Sequence, residues 1–129
     1  MNLRILMIIN TVIAGLFGLA FVLIPWQVIS IYGVQPNPAI NYVGELFGAA
    51  LIAFAVLSWS ARDAEDSDAR RAIVRALFFG DAIGFILSLI AQLNAVVNNL
   101  GWLTVVIYLF LAAGFGYFHF NKPAAGKTE

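Results

Sequence analysis

Four runs of about twenty mostly apolar residues, at 4–24, 41–60, 72–93 and 101–120, constrain this chain more than any other feature. A helix needs about 20 such residues to cross the hydrocarbon of a bilayer. There, every backbone polar group must be satisfied within the protein, so only helices or a closed barrel can span. Four runs of this length predict an all-α integral membrane protein, one transmembrane domain over 1–129 folded as a four-helix bundle. Composition agrees, with 62% of residues hydrophobic and 11% charged. Soluble domains carry about 45–50% apolar and about 25% charged residues, and one this small could not hide so much apolar surface.

The connections read differently from one another. PWQVISIYGVQPNP, at 25–38, is broken by Gly33, Pro36 and Pro38, and its WQVISIY piece suits a short amphipathic turn at a membrane surface. ARDAEDSDARR, at 61–71, is mixed in charge and suits water, with Asp66 or Ser67 as the N-cap of the third helix and Asp68 in its first turn. NAVVNNLG is short and uncharged, and the tail NKPAAGKTE, at 121–129, is polar and expected to fray. Gly18-Leu19-Ala20 offers a small-residue cleavage site, but the apolar run continues through FVLI, so the first span is expected to stay as a helix.

Orientation follows from the basic residues. Arg4, Arg62, Arg70, Arg71, Arg75, Lys122 and Lys127 all fall on one side of a four-span topology. The positive-inside rule then places both termini and the charged loop in the cytoplasm. Trp26, Tyr32, Tyr42 and Trp102 at one edge, with Trp59 and Tyr117 at the other, read as interfacial belts.

Two acids interrupt the apolar runs, each after the first glycine of a G-x-x-x-G pattern: Glu45 in GELFG and Asp81 in GDAIG. The glycines have a packing role, because helices in lipid associate by close approach. Gly15 and Gly18, Gly44 and Gly48, Gly80 and Gly84, and Gly114 and Gly116 put small residues on every span. A charge at the bilayer centre costs about 3 kcal/mol on insertion scales. At about 1.5 Å per residue, Asp81 lies near the midplane and Glu45 about 6–7 Å below the outer edge. That separates them too far to share one proton. No Lys or Arg lies at either depth, so a neutral, hydrogen-bonded acid is the less costly state.

Neutral partners lie at matching depths. Asn10 and Thr11 on the first span fall near the level of Asp81. Asp81, Gly84, Ser88 and Gln92 make one stripe on the third span, and Thr104, Tyr108, Ala112, Gly116 and His119 make another on the fourth. A polar seam from Asn10 and Asp81 toward Glu45 is expected inside the bundle. Two readings stay open for it. The acids are hydrogen-bonding glue that fixes helix register, or they line a cavity that binds a proton, a cation or a polar headgroup. His119, within FHF, is an amphipathic anchor or an axial ligand to haem or chlorophyll.

Several chemistries are excluded. With no cysteine, disulfides, thiolate catalysis and iron–sulfur ligation are removed, and one histidine cannot build a multi-histidine metal site. Zero net charge gives no argument for nucleic acid. No phosphate loop, dinucleotide fingerprint, zinc histidine pair or hydrolase elbow occurs. The chain is expected not to be an enzyme, and the residues specify no cofactor.

The segments LIPWQVISIYGV, LFGAALIAFAVLSWSARD, FFGDAIGFILSLIAQL and NNLGWLTVVIYLFLAAGFGYF span most of the chain. In them it resembles the small four-helix membrane proteins of bacteria in the neighbourhood of DoxX-like proteins. The resemblance implies a bacterial inner-membrane fold and an association with membrane redox complexes, some facing quinone. It carries over no catalytic residue. The function expected is a non-catalytic membrane subunit in the lipid bilayer. It would pack against itself as a homo-oligomer, or against a larger respiratory or photosynthetic complex, and hold a lipid, quinone or pigment. A homo-oligomeric proton- or cation-linked transporter acting through Asp81 and Glu45 is the alternative.

Overall fold

The computed structural model describes residues 1–121, and the polar tail with Lys122 and Lys127 lies outside them. Five helices follow in order: α1 Leu3–Leu23, α2 Pro25–Ile31, α3 Pro38–Ala61, α4 Asp68–Leu93 and α5 Gly101–Phe120. Secondary structure among the described residues is entirely helical. All but α2 are long and apolar enough to cross a membrane.

Capping explains why α3 and α4 start before their apolar runs. Asn37 accepts a hydrogen bond from the Ile40 amide at 3.0 Å, and Pro38 supplies a preset φ at the first helical position. Ser67, rather than Asp66, caps α4 by accepting from the Arg70 amide at 3.2 Å. Asp68 then complements the partial positive charge of that helix end. The WQVISIY piece becomes the seven-residue α2.

The long helices pack as two antiparallel pairs, α1 with α3 and α4 with α5. In the first pair the backbones nearly touch: a Cβ on Gly48 would lie 2.8 Å from the Gly18 carbonyl oxygen. In the second, the Tyr108 ring lies across Gly84 and the Phe78 ring across Gly116. The pairs meet firmly at one end only. There Leu6 and Met7 of α1, Ala61 of α3, Val74 and Leu77 of α4, and Leu111 and Phe115 of α5 form the buried core. Most other large apolar side chains point outward, among them Leu16, Leu46, Ile83, Leu87 and Val106.

The charged loop closes the same end. Asp63 pairs with Arg4 and, at 3.3 Å, with Arg62. Arg71 pairs with Asp66 at 2.7 Å and Asp68 at 2.6 Å. These are exposed pairs, worth little each in water. The Arg4 guanidinium holds the Asp63 carboxyl below the usual carboxylate range.

Candidate functional site

Beyond the core the two helix pairs part, and a cavity of about 540 Å³ lies between them. Pockets that hold small molecules run to about 300–1,000 Å³. Small residues keep this one open: Ala14 on α1, Ala76, Gly80 and Ala91 on α4, and Gly101 on α5 all line it. Its floor is Leu77 and Leu111, and Ala91, Val97 and Gly101 line its far end. Leu77 to Ala91 is a rise of about 21 Å along α4, so the space is elongated. Aromatic and aliphatic side chains, including Phe17, Phe21, Phe47 and Phe54, make most of the wall.

Among the described residues, six polar side chains join that wall: Asn10, Tyr32, Asp81, Ser88, Thr104 and Tyr108. Most are already engaged. Asn10 donates to Ser58 Oγ at 2.8 Å, and both residues are buried. Ser88 donates back to the Phe85 carbonyl at 3.1 Å. The Tyr32 and Thr104 hydroxyls pair at 2.9 Å. Asp81 differs. Its Oδ2 is enclosed and has no hydrogen-bond partner. A buried acceptor left unpaired costs about 1–3 kcal/mol, so the wall holds one unsatisfied group. Tyr108, seated on Gly84 less than a turn from Asp81, is its neighbour on that wall.

The far end is fastened by backbone. Asn98 donates from its amide to the Tyr32 carbonyl and from its side chain to the Ile31 carbonyl, each at 2.9 Å. Gln92 Nε2 reaches the Asn98 carbonyl at 3.2 Å. The 94–100 connection is thereby strapped to the end of α2. Gly33, at φ +79°, lies under Asn98, where a side chain would be crowded as well as strained.

The structure brings together Asn10, Asp81, Ser88, Thr104 and Tyr108, as the sequence suggested, but not the rest of the expected seam. Glu45 is exposed on the outside of α3 and does not line the cavity. The depth argument left out rotation about the helix axis, which turns Glu45 away from the α1 contact made by Gly44 and Gly48. Thr11 also leaves the site. Its hydroxyl donates to the Met7 carbonyl at 2.8 Å and approaches the Ala55 carbonyl at 3.3 Å, so it serves the α1–α3 contact. His119 stands outside the cavity, stacked on Phe78 with centroids 5.8 Å apart and against Phe120 at 4.6 Å.

The glycines divide as well. Gly18, Gly44 and Gly48 sit against side chains or backbone of the facing helix, and Gly15 makes ordinary contact with Ala55. Gly84, Gly114 and Gly116 pack against Tyr108, Leu6 and Phe78. Gly80 is the exception to the expected packing role: nothing lies within 4 Å of where its Cβ would be, because it faces the cavity. Two participants went unnoticed in the sequence, Ser58 and Tyr32. Ser58 was signalled by its place on the stripe Gly44, Gly48, Ala55, Ser58; Tyr32 was read only as a belt residue.

Among the described residues, no group of three or more His, Asp or Glu side chains is placed to share a metal ion. The chain matches no protein-family model, no curated protein and no solved structure.

Proposed function

We propose that this is a multi-pass protein of the bacterial inner membrane, with both termini and the 62–67 loop in the cytoplasm. It acts as a non-catalytic subunit that holds an apolar small molecule between its helix pairs. The observation that carries this reading is the elongated apolar cavity with a single unpaired carboxyl group in its wall. A mostly apolar pocket with a few placed polar groups is the usual form of a small-molecule site.

Membrane residence is supported by the outward-facing apolar surface, which water would not tolerate on a chain this small. The exposed aromatics fit as well. Tyr42 and Trp59 on α3 are separated by about 26 Å of helix rise, close to a hydrocarbon thickness. Arg4, Arg62, Arg70, Arg71 and Arg75 cluster at one end of the bundle, which supports a cytoplasmic position for that end. A non-catalytic role fits the cavity wall, where, among the described residues, Asp81 is the one acid and has no histidine beside it.

Transport of a proton or cation is supported less well. That reading relied on Asp81 and Glu45 together, and Glu45 lies outside the cavity. Extraction from the native membrane in mild detergent tests the subunit reading. It expects the protein to migrate in an assembly larger than itself and to release an apolar molecule into organic solvent. A lone, ligand-free protein would contradict it.

A further inference from the structure

The cavity has closed ends and an open side. Its floor is sealed by the buried core of Leu6, Met7, Leu77, Leu111 and Phe115. Its far end is strapped by Asn98 to α2. Along its side, α3 and α4 come together chiefly near their connecting loop, where Arg70 reaches the Arg62 carbonyl at 3.4 Å. Residues that line the cavity yet remain exposed mark where it opens. They are Ile40, Phe47, Phe54 and Leu57 on α3, with Ala76 and Gly80 on α4. All are apolar. Counted inward from the loop end, Leu57 to Phe47 covers about 15 Å of rise within the apolar stretch of α3. An opening at that level faces acyl chains rather than water.

The wall also limits what can occupy the space. No Lys, Arg or His lines it among the described residues. An anionic head, whether phosphate or carboxylate, would have no counter-charge there and would face Asp81. Asp81 lines the cavity, and its carboxyl has an oxygen with no hydrogen-bond partner of its own. The geometry points to a side entrance. An elongated amphiphile with a hydrogen-bonding head that is not anionic passes from the lipid between α3 and α4 and docks that head against Asp81. This rests on the ligand-holding role proposed above and adds to it the route and the head chemistry.

Gly80 gives the test its variant. Its Cβ position is empty, so Gly80→Leu places a side chain in the opening, and leucine favours the helix more than glycine does. The full-length protein in lipid nanodiscs is exposed to three photoactivatable probes of equal chain length: a C16 alcohol, the matching fatty acid and the matching alkylamine. Labelled peptides are located by mass spectrometry. The alcohol should label peptides around Asp81 and Tyr108 at least about tenfold more than the acid, because the acid head would be desolvated unpaired. The amine, whose ammonium Asp81 can pair with, should likewise exceed the acid. Gly80→Leu should abolish alcohol labelling at Tyr108 while outward-facing labelling stays at the wild-type level, which also reports intact folding. Gly80→Ala, too small to block, should label as wild type.

Acid labelling equal to or above that of the alcohol and the amine would overturn the exclusion of an anionic head. Unchanged labelling at Tyr108 in Gly80→Leu, or equal loss in Gly80→Ala, would overturn the side entrance. Either result leaves ligand binding itself intact. Failure of all three probes to label the wild-type cavity would instead remove the ligand-holding role, and this inference with it.

Discussion

Gly48 and Gly80 belong to similar motifs, yet a methyl group added at each meets opposite surroundings. At Gly48 it would sit 2.8 Å from the Gly18 carbonyl oxygen, so α1 and α3 must move apart. At Gly80 it meets nothing within 4 Å. Gly48→Ala is expected to destabilise by about 1–3 kcal/mol, the usual cost of overpacking. Gly80→Ala should stabilise by about 0.5–1 kcal/mol through helix propensity alone. Thermal unfolding in detergent reads both, and a shift of the same sign in the two variants would refute the assignment of contacts. Ala95 gives a second residue-scale case. It ends α4 at φ 54°, with the Val96 amide reaching back to the Ala91 carbonyl at 2.9 Å. That conformation costs a residue with a Cβ about 1–2 kcal/mol and costs glycine little. Ala95→Gly should therefore raise the melting temperature; a lowered one would mean the turn is not under that strain. The acids show how far residue patterns could be read. The buried stripe of α3 runs Gly44, Gly48, Ala55, Ser58, Ala61 and passes Glu45 by. The inward stripe of α4 runs Val74, Leu77, Asp81, Gly84, Ser88 and includes Asp81. Extending each stripe along its whole helix separates the two acids; matching local motifs and depths does not.

Helices were legible in the sequence because the apolar runs, proline and cap residues mark them from within. Ser67 and the end of α4 at Leu93 were both readable in that way. The early start of α3 was less so, because its first turn holds Pro38 and Asn41, which a hydropathy run omits. The gap between helix pairs was not readable, because periodicity gives the face of a helix and not its distance from the next. Two ties between elements can be tested. Asn10 and Ser58 join α1 to α3 in the buried interior. Ser58→Ala leaves Asn10 unpaired there and should cost about 0.6–2 kcal/mol, measured by thermal unfolding. Asp63 joins the loop to the start of α1 through Arg4. Its carboxyl titrates below the ordinary value of 3.8, so the contribution of the pair is present at neutral pH and is lost as pH falls through that depressed value. Asp63→Asn should lower the melting temperature slightly at pH 7 and leave it unchanged in strong acid. An equal loss at both pH values would show that the carboxylate charge plays no part.

The molecule as a whole is two close-packed helix pairs joined firmly at the arginine-rich end and held apart beyond it, with the far end strapped by Asn98. In lipid no hydrophobic force closes such a gap, since acyl chains are as apolar as the cavity wall. A hollow half is therefore stable if something apolar fills it, and Asp81 supplies a place where a polar head gains a partner. The arrangement accounts for Gly80, which lines the gap and packs against no facing helix. Native mass spectrometry of the protein released directly from its own membrane tests this most directly. The account requires the wild type to carry an additional apolar molecule of defined mass, and Gly80→Leu, equally folded, to carry much less of it. An empty wild type, or equal occupancy in both, would contradict the claim that the cavity is the functional site.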